Sequence, residues 1–107
     1  MTIVWSPHAR GLLHEILSHI REVLSSEDSF RWFDRICDTT RPLAGFPNLG
    51  PVIPTEYFDS VPPHADRLRQ VFCKPYRIVC EAVDDEIHIL SIRHSRMLVT
   101  EDDTTWN

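Results

Sequence analysis

The sequence predicts a two-layer α+β domain in the element order β-αα-βββ. Three observations carry this: a long apolar stripe at helical spacing near the start, a proline-rich break in the middle, and three β-rich runs with two-residue links near the end. An amphipathic helical hairpin and a small sheet can each bury an apolar face only against the other. A chain of 107 residues supports one such core and is too short for two.

Thr2 to Trp5 reads as a short strand. Ser6-Pro7 then supplies an N-cap followed by proline at the first helical position, where a missing N–H costs nothing. Ala9, Leu12, Leu13, Ile16, Leu17, Ile20, Val23 and Leu24 draw one stripe on a 3.6-residue period. Ser25 to Asp28 fits a capping pattern. Phe30, Phe33, Ile36 and Cys37 form a second stripe, which Pro42 cuts short, so the two helices make an αα-hairpin. Six prolines and two glycines between Pro42 and Pro63 exclude continuous helix or central strand there.

Leu68 to Cys73, Tyr76 to Val83 and Glu86 to His94 follow as an antiparallel meander, linked by Lys74-Pro75 and Asp84-Asp85. The last two strands carry apolar groups at odd and even positions alike, as at Ile78 and Val79 or Ile89 and Leu90. One sheet face meets the helices. The other is either an exposed apolar surface for a partner or is covered by the proline-rich residues 42–63. Residues 1–98 form the single domain, and residues 99–107 are expected to be an acidic tail.

Apolar residues at 42% and charged residues at 25% are ordinary for a globular chain. The formal net charge of -5 weighs against non-specific binding to nucleic acid or an anionic membrane. Much of the excess sits in two places: Asp84, Asp85 and Glu86 in a turn, and Glu101, Asp102 and Asp103 in the tail. The basic side chains of that half, Arg67, Arg69, Lys74, Arg77, Arg93 and Arg96, stand apart from them. An odd cysteine count with no C-x-x-C pair suggests neither a disulfide framework nor a zinc knuckle. With no export signal and no long apolar run, the expectation is a soluble cytoplasmic protein without membrane contact.

His14 and His19 miss the H-E-x-x-H spacing by one residue. Positions i and i+5 lie about 140° apart around a helix, so the two imidazoles cannot share a zinc ion. Asp84-Asp85-Glu86 reads as turn chemistry rather than a cation site, and no metal site is expected. Phosphate-cradling glycine motifs are absent, so no nucleotide cofactor is expected. Cys73 and Cys80 read as small buried hydrophobes rather than nucleophiles. What remains is Tyr76-Arg77 in one strand and Arg93-His94-Ser95-Arg96-Met97 where the last strand ends. Adjacent strands can gather Arg77, Arg93, His94 and Arg96 near one edge as a compact positive site for a phosphate or an acidic partner, unless Arg77 is consumed by Glu81 or a helix carboxylate.

At this point the pattern resembles the RelE/ParE superfamily of toxins from type II toxin-antitoxin modules. The resemblance spans roughly residues 2 to 98. It rests on Val4-Trp5-Ser6-Pro7-His8-Ala9 leading into the first helix, Leu43-Ala44-Gly45-Phe46-Pro47-Asn48-Leu49-Gly50, Tyr76-Arg77-Ile78-Val79, and Ile87 to Met97. His94-Ser95-Arg96-Met97 looks like the His-x-Arg-Met ending of the ParE branch. RelE-like nucleases instead carry lysines before Tyr-Arg, where this chain has Leu68, Arg69 and Gln70.

The resemblance implies a plasmid-stabilisation type toxin that inhibits growth by binding DNA gyrase, without enzymatic activity or cofactor. Its target-binding residues would be Arg77, Arg93, His94 and Arg96, with Met97, Tyr76 and Trp5 beside them. A cognate antitoxin would mask it, in a toxin-antitoxin hetero-oligomer or beside a homodimer. The alternative is a ribosome-dependent mRNA endonuclease in which His94 moves a proton and Arg77 and Arg96 stabilise phosphate. A third reading is an inactive or non-toxic interaction module; Leu98, Pro51 and the helix-shortening Pro42 depart from the family pattern and point to altered target choice or an inactive relative.

Overall fold

The computed structural model describes all 107 residues. β1 (Thr2–Trp5) leads into α1 (Pro7–Val23) and α2 (Ser26–Thr40), and β2 (Leu68–Cys73), β3 (Tyr76–Val83) and β4 (Glu86–His94) complete the chain of elements. All six match the sequence expectation. Ser6 caps α1 by accepting a hydrogen bond from the Ala9 N–H at 3.1 Å, and Ser25 caps α2 through the Asp28 N–H at 3.0 Å.

The four strands form one sheet in the order β1-β4-β3-β2. β2, β3 and β4 are the expected antiparallel meander, whereas β1 runs parallel to β4, with Thr2 opposite Glu86 and Trp5 opposite Ile89. Parallel neighbours need a crossover, and the helical hairpin supplies it on one face of the sheet. There Ala9, Ile36, Leu43, Ile78, Ile87, Ile89 and Ile92 bury one another almost completely.

The other face of the sheet is closed as well, which decides between the two sequence expectations in favour of cover by the proline-rich connection. Leu68, Val79 and Leu90 point into it and are capped by Ile53 and Phe58 of the proline-rich connection and by Val99 of the C-terminal segment. The register explains how β4 serves both faces. Cys80 pairs with Ile89 and Val79 with Ser91, so Leu90 is an extra residue in a bulge. The bulge lets Ile89 and Ile92, three positions apart, share the helix face.

The proline-rich connection is ordered by what it touches. It contains 3₁₀ turns at Arg41–Ala44, Thr55–Tyr57 and Ala65–Arg67. Between the first two it runs along β2: the Ile53 N–H donates to the Leu68 carbonyl and the Gln70 N–H to the Pro51 carbonyl, each at 3.0 Å. This covers the free edge of β2, a position that otherwise invites another strand.

In α2 the buried face differs from the expected stripe. Trp32 packs on the core beside Ile36, while Phe30 is 71% exposed and Phe33 42% exposed. Val23 and Leu24, at the hairpin tip, are also exposed. These residues lie outside the buried cluster between helices and sheet, and Phe33 stands at the rim of an open apolar surface beside β1.

Gly50 is fixed by a close approach of two backbones. A Cβ there would stand 2.2 Å from the Gln70 carbonyl oxygen, whereas one at Gly45 would meet nothing within 4 Å. Gly50→Ala is expected to destabilise the fold by about 3 kcal/mol, as overpacking against rigid neighbours does, and to lower Tm by about 15 °C. Gly45→Ala, measured in the same thermal melts, is expected to leave Tm within a few degrees.

Candidate functional site

Two loops meet at one end of the sheet: the Lys74-Pro75 turn between β2 and β3, and residues 94–97 leaving β4. The pairing Cys73 with Tyr76 and Tyr76 with His94 places them side by side. The exit loop is braced from several directions. The Ser95 N–H donates to the Pro75 carbonyl at 2.8 Å, the Met97 N–H to the His94 carbonyl at 3.0 Å, and the Arg96 N–H to His94 Nδ1 at 3.1 Å. With Nδ1 accepting, a neutral His94 carries its proton on Nε2 and offers an N–H outward.

Arg77 is not on the surface. It is 5% exposed, its Nε donates to Gln70 Oε1 at 2.9 Å, and its Nη1 donates to the Met97 carbonyl at 2.9 Å. The rings of Tyr57 and Phe72 lie 5.1 and 5.8 Å from its guanidinium carbon. Burial pulls its pKa below the ordinary arginine value, with Tyr57 opposing. Arg77 thus holds the exit loop from beneath. Glu81, a partner open to it from sequence, instead takes Arg67 at 3.1 Å.

Arg93 stands opposite Arg77 in the register and is also occupied: its Nε donates to both carboxylate oxygens of Asp103 at 3.0 Å. Asp103 is 1% exposed and also meets His8 Nε2 at 3.0 Å and the Thr100 N–H at 3.1 Å. Burial pushes the Asp103 carboxyl up, but the hydrogen bonds from His8, Thr100 and Arg93, together with the Arg93 charge, outweigh it and leave the pKa below the usual carboxylate value. The acidic segment 99–107 is thus anchored to the domain through buried Val99, Asp103 and Thr104, while Glu101, Asp102 and residues 105–107 stay exposed.

Of the seven candidate residues, the structure brings His94, Arg96 and Met97 to the open end of the sheet, the last two exposed. Tyr76 lies beneath, edge-on to Trp32 with ring centres 5.5 Å apart. Trp5 sits across the sheet on β1, opposite Ile89, roughly 17 Å along β4 from His94. Lys74, to which the sequence reading assigned no role, joins the open end. The signal was present in the two-residue turn itself, whose register with β4 puts it beside the exit loop.

Elsewhere, Cys73 and Cys80 are buried, and burial raises the Cys80 thiol to about 11 with Arg69 opposing, so it stays protonated at neutral pH. Asp84 adopts φ 52 in the β3–β4 turn, a conformation aspartate tolerates. A second open feature lies beside β1, the strand at the far edge of the sheet. Ile3, Val4, Trp5, Leu13, Phe33 and Cys37, with Arg10, line an apolar groove of about 490 Å³.

Two outcomes follow for these networks. Arg77→Ala is expected to cost about 2–3 kcal/mol by stranding Gln70 and the Met97 carbonyl, and to speed hydrogen exchange at the Ser95 and Met97 amides. Asp103→Asn is expected to cost about 2–3 kcal/mol at neutral pH, because it leaves Arg93 without its counter-charge. The folded pKa of Asp103 is depressed, so its contribution is complete above the unfolded value of 3.8 and is lost as pH falls through the folded value. Thermal melts of wild type and Asp103→Asn should therefore differ most above about pH 4 and converge in stronger acid.

Among curated proteins, none is similar enough in sequence to count as a match. Among solved structures, a chain of the chromosomal ParDE TA system from P. aeruginosa superimposes with a TM-score of 0.67 at 22% identity, over 88% of this chain and 95% of that one. That likeness establishes the β-αα-βββ fold. Residues 3–99 match the family described as the ParE toxin of the type II toxin-antitoxin system parDE. That match runs from β1 through the whole sheet and the braced exit loop, and on it the chain belongs to the ParE toxin family.

Proposed function

We propose that this protein arrests growth by binding DNA gyrase through the open end of its sheet, acts without a cofactor, and is masked by a cognate antitoxin. The observation that carries the reading is membership of the ParE toxin family over residues 3–99. The geometry supports binding rather than cleavage. His94 Nδ1 accepts the Arg96 N–H, so the neutral ring presents a donor and no free base to take a proton from a nucleophile. His94, Arg96 and Met97 offer a donor, a cation and an apolar tip on a loop held from below, as a protein-binding surface requires.

The groove beside β1 supports an antitoxin partner. It couples an edge strand to an apolar trough, the surfaces that an added strand and the apolar face of a helix would cover. The ParDE neighbour is itself described as a toxin-antitoxin system.

A second reading, ribosome-dependent mRNA cleavage, is favoured by one observation: Lys74, His94 and Arg96 line the same pocket. Purified protein is expected to inhibit gyrase supercoiling, and Arg96→Ala or Met97→Ala to weaken that inhibition at least tenfold with Tm unchanged. Cutting of ribosome-bound mRNA that disappears in His94→Ala, with supercoiling untouched, would establish the second reading instead.

A further inference from the structure

The helical hairpin buries one side against the sheet and leaves a second side open. There His14, Leu17, Ser18 and Arg21 of α1 and Ser26, Ser29, Phe30 and Phe33 of α2 line a groove of about 380 Å³. On each helix these are positions i, i+3, i+4 and i+7, the spacing of a packing stripe rather than of a solvated face. The two stripes already meet at one point, where the Ser29 hydroxyl donates to the Leu17 carbonyl at 2.9 Å. A helical hairpin with a second stripe shared between its two helices presents the surface that pairs hairpins into a four-helix bundle.

The same surface carries a knob and a hole. Phe30 projects into solvent from α2, and Val23 and Leu24 stand exposed at the hairpin tip. Serines at 18, 26 and 29 are too short to fill the groove beside them. A projecting ring next to a cavity that accepts a ring is self-complementary, because a two-fold axis seats each copy's ring in the other's cavity. Val23, Leu24, Phe30 and Phe33 together leave about 400 Å² of apolar side chain in water, the size of the largest apolar patch on a typical monomer. At the usual apolar share of an interface, two such patches with their polar rims bury about 1,300 Å² in total, enough for a specific dimer at the low end of the standard range.

Charge allows the match. No acidic side chain lines the groove, and Arg21 has no ion-pair partner, whereas exposed Glu27 nearby on α2 is held only by Arg31 at 3.8 Å. The face carries both signs, so two copies meet here without the like-charge repulsion that a net charge of -5 imposes elsewhere. Phe33 also lines the groove beside β1, so the two surfaces abut, but Arg21, Ser26 and Phe30 belong to this one alone.

We propose that this face binds a second copy of the chain, the two hairpins packing across a two-fold axis into a four-helix bundle with Phe30 of each copy in the groove of the other. The proposal is independent of the readings of target and antitoxin.

The experiment follows the full chain by sedimentation equilibrium from about 1 to 300 μM. A reversible passage from one chain to two is expected, with a dissociation constant in the micromolar range. Phe30→Ala should weaken the dimer at least tenfold and leave the Tm of the dilute chain unchanged, since the ring is exposed in the single copy. Phe46→Ala, which removes a comparably exposed ring from the loop after the first 3₁₀ turn, should leave the dimer intact. The proposal is overturned if the chain stays single throughout that range, which would leave this face to a different partner. It is overturned equally if Phe30→Ala dimerises as tightly as wild type, or if Phe46→Ala weakens the dimer as much, the mark of non-specific apolar contact.

Discussion

A strand that is apolar on both faces has to be buried on both, and β4 imposes that condition on everything around it. Its edges are taken by β1 on one side and β3 on the other. Its faces are taken by the helical hairpin and by the pairing of the proline-rich connection with the C-terminal segment. The bulge at Leu90 is what reconciles the two faces, because it shifts the alternation by one residue midway along the strand. Gly50 belongs to the same solution: the connection can reach the second face only by passing hard against the Gln70 carbonyl.

The candidate site is a product of this double burial. With both faces and the β2 edge covered, two open features stand out: the end of the sheet around Lys74 and His94, and the groove beside β1. The cations nearest the first are sorted by depth. Arg77 and Arg93 lie on the covered face and spend their charge on Met97, Gln70 and Asp103. Lys74 and Arg96 sit on turns beyond the strand ends, where no carboxylate reaches them. Buried Arg77 thereby braces, through the Met97 carbonyl, the loop that carries exposed Arg96.

Charge follows the same logic. The total of -5 describes a protein that repels polyanions at long range, yet part of the acid is spent internally. Asp103 holds Arg93 and His8, and Glu81 holds Arg67. The Asp84-Asp85 turn is a full hairpin length from Lys74. At the Debye length of about 8 Å in physiological salt, a contact at the basic end feels its own pocket more than the distant turn.

The amino-acid order by itself determined the six elements and their boundaries, because caps, periodicity and proline act within a few residues and leave local marks. Ser6-Pro7, Ser25, Pro42 and the two-residue links are such marks, and the motif pieces from Val4 to Met97 sufficed to suggest the family. Tertiary structure alone decided which cations are free, which face is open and what the C-terminal segment does. Arg77, Arg93 and Arg96 are the same residue type within twenty positions, and no local signal separates them. Their fates depend on which face a strand presents after a bulge, and on Asp103, ten residues beyond Arg93, folding back to meet it. Phe30 and Phe33 make the same point for α2: the stripe was legible, but which of its residues meet the core depends on contacts between residues far apart in the chain.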